Sequence, residues 1–153
     1  MTWQRGSADV DRLLADGKLE RISGSSTDGR SLLQSAARLI ESASRECQVN
    51  PEAAYVLSYD AARKACAALL AQQGLRTASG GHHVTTELVV RAQFGGPFDA
   101  FGMLRRRRTE IEYPRFPGDD VSSEEAIEAL RAAQSILQAS SALRDELPLF
   151  VSP

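Results

Sequence analysis

Four consecutive arginines occupy residues 105–108, and Thr109 and Tyr113 follow them. A guanidinium is always protonated under ordinary conditions, and its planar fork matches the geometry of a phosphate or a carboxylate. A tyrosine hydroxyl can donate a hydrogen bond, but with an ordinary pKa of about 10 it is a poor base at neutral pH. The segment therefore predicts an anion site, most simply one for a phosphate.

One of these arginines falls where a core residue belongs. Residues 98–112 have the apolar periodicity of a helix that restarts after Pro97. At about 100° per residue, Arg108 projects on the same side as Leu104 and Ile111, in the middle of the apolar stripe. We therefore expect Arg108 to face either the interior of the protein or a groove, with Arg105 and Arg107 at the edges of the stripe.

An arginine in an apolar stripe needs a negatively charged partner, because desolvating a guanidinium is costly. The partner of Arg108 is either a carboxylate of the protein, Asp60 or Glu112, or the phosphate of a ligand. The arginines at residues 105–107 form either a solvated face or a surface that attracts a nucleic-acid backbone regardless of its sequence. The sequence alone does not decide between the two kinds of partner for Arg108, or between the two roles for residues 105–107.

Two adjacent histidines, His82 and His83, are the only histidines of the chain. Adjacent side chains on a helix point about 100° apart, and no nearby cysteine or carboxylate pattern completes a metal site. We therefore expect neither a metal nor a cofactor. The histidines either cap a helix or contact a loop, or one of them lines a groove and acts as a base.

Helices separated by Gly, Ser and Pro must position these residues. Asn50 before a proline predicts a helix start, Gly74 predicts a helix end, and Ser122 with Glu125 fits a capping box. Helices are predicted over residues 31–48, 51–73, 83–94, 98–112 and 122–143, after a short first helix around residues 10–14 with Ser7 as its N-cap. No strand pattern is convincing, so the sequence predicts an all-α fold, an antiparallel up-and-down bundle of four to five helices.

Length and composition indicate an ordinary globular domain. The chain has 153 residues, of which 25% are charged, and a net charge of −2, which argues against a protein that coats nucleic acid along its whole surface. We expect a short N-terminal helix and loop over residues 1–29, the bundle over residues 30–147 and a tail over residues 148–153. Since no apolar run of transmembrane length and no signal-peptide core are found, we expect a cytoplasmic protein without a membrane partner.

The arginine run and its surroundings resemble the HEPN domain family. Arg108, Thr109 and Tyr113 look like the family's motif of an arginine, a polar residue, three further residues and a histidine. The resemblance covers about residues 30–145 and includes further similar segments at residues 59–65, 74–76 and 81–83.

The resemblance implies a helical bundle that forms a homodimer and brings two motifs together across a groove. Many members are metal-independent ribonucleases, and in toxin–antitoxin operons they are often paired with a small nucleotidyltransferase antitoxin. By that analogy, Arg108 would stabilise the phosphate of an RNA and Thr109 would orient the catalytic pair. Arg105, Arg106 and Arg107 would bind RNA phosphates. Possible groove residues are Asp60, His82, His83 and Glu112.

Tyr113 departs from the family motif, because it stands where the histidine would be. A histidine with a pKa of about 6.5 can take a proton from a 2′-hydroxyl at neutral pH, whereas a tyrosine cannot do so readily. Three functions follow: a toxin-type endoribonuclease that uses Tyr113 or a groove histidine, a non-catalytic dimer that binds RNA, a nucleotide or a nucleotidyltransferase, and a purely structural helical dimer. Tyr113 is also a candidate for modification with AMP, although the family's modified tyrosine lies two residues further along.

Overall fold

The computed structural model describes residues 2–153, and helices dominate them. The helices are α1 (Ser7–Ala15), α2 (Arg30–Glu46), α3 (Pro51–Gln72), α4 (His82–Gln93), α5 (Phe101–Glu112) and α6 (Ser123–Leu143). Short 3-10 turns lie at Gly24–Thr27, Gly96–Ala100 and Arg144–Glu146, and two strands, β1 (Leu19–Arg21) and β2 (Leu75–Thr77), complete the fold. The predicted all-α helical bundle is confirmed.

Local sequence signals place the ends of the two longest helices. The side chain of Asn50 accepts a hydrogen bond of 3.2 Å from the N–H of Ala53 and so caps α3. The hydroxyl of Ser122 accepts one of 3.1 Å from the N–H of Glu125 at the start of α6. Gly74 follows α3 with φ of 73°, a backbone conformation that costs glycine little.

Three details differ from the sequence predictions. The expectation of no strands was wrong, because β1 and β2 pair antiparallel with Leu19 opposite Thr77. Strands of three residues are too short to show an alternating pattern, so periodicity could not detect them. Residues 96–100 form a 3-10 turn rather than the first turn of α5, and Gly6, not Ser7, is the N-cap of α1.

Helix α3 lies at the centre of the bundle, with α2 and α6 packed along it. Its alanines at residues 61, 62, 65 and 68 are completely buried. Small side chains allow neighbouring helix backbones to approach closely, which places the partially exposed side chains of α3 at defined positions around it. The site described below depends on that placement.

Further contacts join the ends of α3 and α4 to each other and attach the two ends of the chain to this core. The buried amides of Gln73 and Gln93 bond each other reciprocally, at 2.6 and 3.0 Å, and join the end of α3 to the end of α4. Phe150 donates its N–H to the carbonyl of Gln73 at 2.8 Å, and its own carbonyl accepts from Arg21 at 2.9 Å. Val10 of α1 is completely buried in the same core. Across residues 2–153, none of the helices combines the length and apolar character needed to cross a membrane.

Gly29, just before α2, tests the close approach of α2 and α3. A Cβ at this position would overlap the carbonyl oxygen of Ala68 in the α3 backbone. We expect Gly29→Ala to destabilise the protein by about 1–3 kcal/mol, because the helix backbone cannot move away as a flexible side chain would. Urea unfolding monitored by circular dichroism measures the change.

Gln34→Ala is the matched control, since Gln34 is an exposed residue of α2. The control should leave the free energy of unfolding within about 0.5 kcal/mol of the parent value. Equal unfolding midpoints for Gly29→Ala and the parent chain would contradict the packing described for α2 and α3.

Candidate functional site

Helices α3, α4 and α5 enclose a small open cavity of about 280 Å³. The cavity is lined by Tyr59, Asp60, Gly81, His83, Val84, Arg105, Arg108, Thr109 and Glu112. Six of the residues singled out in the sequence therefore meet in one place, although they come from three separate helices. Those six are Asp60, His83, Arg105, Arg108, Thr109 and Glu112.

Arg108 reaches a carboxylate of its own helix. Its Nη1 lies 2.5 Å from Oε2 of Glu112, one helical turn further along α5. The ion pair that the sequence left open is thus formed with Glu112, while Asp60 lies elsewhere on the same cavity wall. Because the side chain of Arg108 is 30% exposed, its guanidinium remains accessible from the cavity.

Arg107, rather than Arg108, is the most constrained arginine of the run. Its side chain is only 12% exposed, and it bonds Glu125 at 2.5 Å, Asp119 at 3.0 Å and Glu110 at 3.3 Å. These carboxylates raise the pKa of Arg107 above its ordinary value, chiefly through the hydrogen bond that Arg107 donates to Glu125. The helical wheel places Arg107 at the edge of the apolar stripe, and its burial arises because the chain between α5 and α6 folds back over this side of α5.

Arg106 and Arg107 line a different cavity from Arg108, of about 500 Å³ beside Tyr55 and Glu125. Arg106 is largely exposed and its Nη1 lies 3.6 Å from Oε1 of Glu87. The four adjacent arginines are therefore distributed around α5, and only Arg105 and Arg108 face the smaller cavity.

Glu87 orients Arg105, and the sequence predictions did not include it. Glu87 is buried between α4 and α5, and its Oε1 accepts from Nε and Nη2 of Arg105, each at 3.4 Å. Gly102 makes room for it, because a Cβ there would lie 2.7 Å from the same oxygen. Gly102, a glycine inside an arginine-rich helix, was the one sequence feature that could have indicated a buried side chain packed against α5 here.

His83 is held by a buried tyrosine. Its Nδ1 lies 2.5 Å from the hydroxyl oxygen of Tyr59, and Phe101 packs against the ring of Tyr59 at 5.4 Å between centroids. Burial raises the pKa of Tyr59 well above its ordinary value. The tyrosine hydroxyl therefore stays protonated and serves as a fixed hydrogen-bonding partner for the imidazole.

The surroundings of His83 favour the neutral imidazole. Its pKa is lowered first by burial and then by electrostatic repulsion between the imidazolium form and its neighbours, which include Arg63 and Arg108, while Asp60 opposes these effects. A pKa below the ordinary value of about 6.5 leaves the ring uncharged at neutral pH. A neutral imidazole whose Nδ1 carries the proton can accept another proton at Nε2.

His82 takes a different direction from its neighbour. The two rings contact each other with centroids 4.0 Å apart, but His82 lines a separate, larger cavity. Of the two histidines, His83 alone is therefore placed beside Arg108.

Tyr113 lies outside the small cavity. It ends α5, is 71% exposed, and donates its N–H to the carbonyl of Thr109 at 2.9 Å. Thr109 lines the cavity, and its hydroxyl donates to the carbonyl of Arg105 at 3.1 Å. Arg108 and Thr109 thus line the small cavity, whereas Tyr113 is exposed to solvent.

Within residues 2–153, no group of three or more His, Cys, Asp and Glu side chains is arranged to hold a metal ion.

Comparison with protein families gives one match, to the HEPN domain, over residues 29–143. No curated protein and no solved structure matches the chain. The matched segment begins just before α2, ends with α6 and contains every residue that lines the small cavity. Because the family model covers most of the chain, this protein belongs to the HEPN family.

Proposed function

We propose that this HEPN protein is a toxin-type, metal-independent endoribonuclease, with the small cavity as its active site and His83 as its proton acceptor. One observation carries the proposal: a neutral histidine, fixed by a buried tyrosine, lines the same cavity as the motif arginine. A cytoplasmic location and a homodimer, both predicted from the sequence, are parts of this proposal.

The reaction needs a base and a cation at one phosphate. Nε2 of His83 takes the proton of a ribose 2′-hydroxyl while the 2′-oxygen forms a bond to phosphorus. The bond from phosphorus to the 5′-oxygen breaks, and water in the open cavity supplies the proton that this oxygen needs. The products are a 2′,3′-cyclic phosphate and a free 5′-hydroxyl.

Arg108 supplies the positive charge at the reacting phosphate. Glu112 occupies one edge of its guanidinium, so a phosphate binds to the remaining N–H groups or displaces the carboxylate. Arg105, oriented by Glu87, adds a second positive charge on the same wall. Positive charge that is positioned before substrate binds stabilises the charge that develops on the phosphate oxygens.

The rim of the cavity supports a homodimer. Val84 and Leu88 are one turn apart on α4, and each is about half exposed. Val84 also lines the cavity, so a second chain that covers these apolar side chains would close over the site. Two copies of the His83 and Arg108 pair would then face a common groove.

A non-catalytic function is the second candidate. The ion pair between Arg108 and Glu112 and the tyrosine at the motif's histidine position favour a dimer that binds RNA, a nucleotide or a nucleotidyltransferase without cleaving RNA. Tyr113 is exposed and therefore available to such a partner. The experiments below separate the two functions.

Arg108→Ala should reduce RNA cleavage in the presence of EDTA by about 10²–10³-fold, because it removes the main charge at the reacting phosphate. Arg131→Ala is the matched control, since Arg131 is an exposed arginine on α6, away from the cavity. Circular dichroism establishes that both variants fold. If the parent chain binds RNA but cleaves none, the non-catalytic function is correct; if Arg108→Ala unfolds and the parent binds no RNA, the arginine is structural.

His83→Gln and Tyr113→Phe distinguish the two possible proton-transfer residues. We expect His83→Gln to lower kcat by about 10²–10⁴-fold, because an amide cannot accept a proton. Tyr113→Phe should keep nearly full activity, since it removes only an exposed hydroxyl. The reverse pattern would assign proton transfer to Tyr113, the residue at the motif position.

The pH dependence of cleavage should reflect the lowered pKa of His83. Protonation removes the base, so kcat/KM should fall on the acidic side with a midpoint below the ordinary histidine value of about 6.5. Arg63→Gln removes a positive charge that disfavours the imidazolium, so it should raise this pKa and move the midpoint to higher pH.

The same titration can be followed directly by NMR, because the chain has only two histidines and His83→Gln identifies their ring signals. A His83 signal that titrates above the ordinary value, or a midpoint that Arg63→Gln leaves in place, would contradict the described environment.

A further inference from the structure

A second cavity, of about 790 Å³, lies on the other side of the two histidines. Its walls come from both strands, the Gly24–Thr27 turn and helices α2, α3 and α4. The volume is within the range of about 300–1,000 Å³ that is usual for sites that bind small organic groups. The active site proposed above does not use this cavity.

The second cavity has an apolar floor. Leu70, Leu75 and Ala71 line it and are buried, whereas Ala67 lines it and is partly exposed. Alanine side chains leave room for a planar group to lie against the helix surface. Hydroxyl groups surround this floor and offer donors and acceptors to a polar edge; they belong to Ser25, Ser26, Ser31, Thr77 and Ser79.

Two carboxylates, Glu20 and Asp28, and two arginines, Arg63 and Arg76, line the second cavity. Arg76 is paired with Glu20 at 2.8 Å. Within residues 2–153, Arg63 takes part in none of the ion pairs. It is close enough to His83, which lines the small cavity, to affect that ring electrostatically. An arginine so placed suits a phosphate that joins two ligand groups.

The histidine pair is the wall that the two cavities share. His83 lines the small cavity and His82 lines the large one, with their rings 4.0 Å apart. A ligand that places a phosphate beside His83 can therefore place the group attached to that phosphate beside His82. The imidazole of His82 offers a face on which an aromatic base can stack.

We propose that the second cavity is a specificity subsite that binds the nucleoside next to the phosphate held by Arg108, with its base on the Ala67 and Ala71 floor beside His82. The proposal rests on the endoribonuclease function above. Arg63 contacts the phosphate that links the two positions, and the hydroxyl groups of the rim discriminate among bases. The subsite thus chooses the sequence at which the RNA is cut.

Ala67→Leu tests the subsite, because the larger side chain fills the floor without changing any residue of the small cavity. The ligands are four uncleavable 2′-O-methyl trinucleotides that differ in base, together with an abasic trinucleotide. In amide NMR spectra of the full-length parent chain, the base-containing ligands should shift the signals of Ala67, Ala71 and Ala78. Ala67→Leu should weaken this binding by about tenfold or more, and the abasic ligand should leave those signals in place.

Ala37→Leu is the matched control, since it makes the same substitution at an exposed position of α2. It should bind the trinucleotides as the parent does. With cleavable RNA, Ala67→Leu should raise KM by about tenfold and weaken the preference among bases, whereas Ala37→Leu should change neither.

The outcomes separate the two proposals. If the parent cleaves RNA and Ala67→Leu keeps the same KM and the same cleavage sites, the subsite is wrong and the proposed function stands. If the parent cleaves nothing but the trinucleotides shift the floor signals, the cavity binds a nucleoside and the proposed activity is wrong. If no trinucleotide shifts these signals, or only free nucleoside monophosphates do so, the RNA subsite is overturned.

Discussion

The burial of α3 is the constraint on which the rest of the molecule depends. Its alanines allow α2 and α6 to pack directly against its backbone, and Gly29 lies where no side chain would fit. A helix surrounded in this way cannot rotate or slide without opening voids on several sides. Tyr59, Asp60 and Arg63 are therefore held at fixed positions beside α4 and α5. Both cavities therefore depend for their geometry on the packing of small side chains along α3.

The four arginines at residues 105–108 have different ion-pair partners, because the fold surrounds each of them differently. Arg107 is surrounded by carboxylates from α5, α6 and the intervening chain. Its guanidinium is paired with them and so holds those segments together. Arg105 is oriented by a buried carboxylate of α4, while Arg108 is paired only with Glu112 of its own helix. A pair between residues one turn apart on a partly exposed surface is weak, of about 0.5 kcal/mol. Of the two arginines that line the small cavity, Arg108 is accordingly the one whose pairing an anion can more readily replace.

Much of the fold followed from short-range rules that act within one element. The caps at Asn50 and Ser122 and the stop at Gly74 are local chemistry, and they appear where the sequence predicts them. The helical wheel of residues 98–112 could not rank Arg107 against Arg108, because the burial of Arg107 is produced by a segment that returns from further along the chain. The pairing of Tyr59 with His83 joins residues 24 positions apart, and no periodicity reports such a contact. Several residues that line the small cavity could be singled out from the sequence by their type, whereas their hydrogen-bonding and ion-pair partners depended on tertiary packing.

The position of α4 changes the interpretation of Tyr113, the tyrosine at the motif's histidine position. A base and a cation must meet at one phosphate, but nothing requires both to come from the same helix. Tyr113, five positions after Arg108, lies where α5 ends, and its side chain points to solvent. On α4, His83 is adjacent to the same arginine, is fixed by a buried hydroxyl and is kept neutral by burial and nearby positive charge. In the proposed reaction, the charge of Arg108 has two effects: it attracts the phosphate, and it is one of the charges that lower the pKa of His83 and so keep the base unprotonated. In the proposed subsite, His82, whose ring contacts that of His83 and which lines the second cavity, links the same base to the position of the next nucleoside.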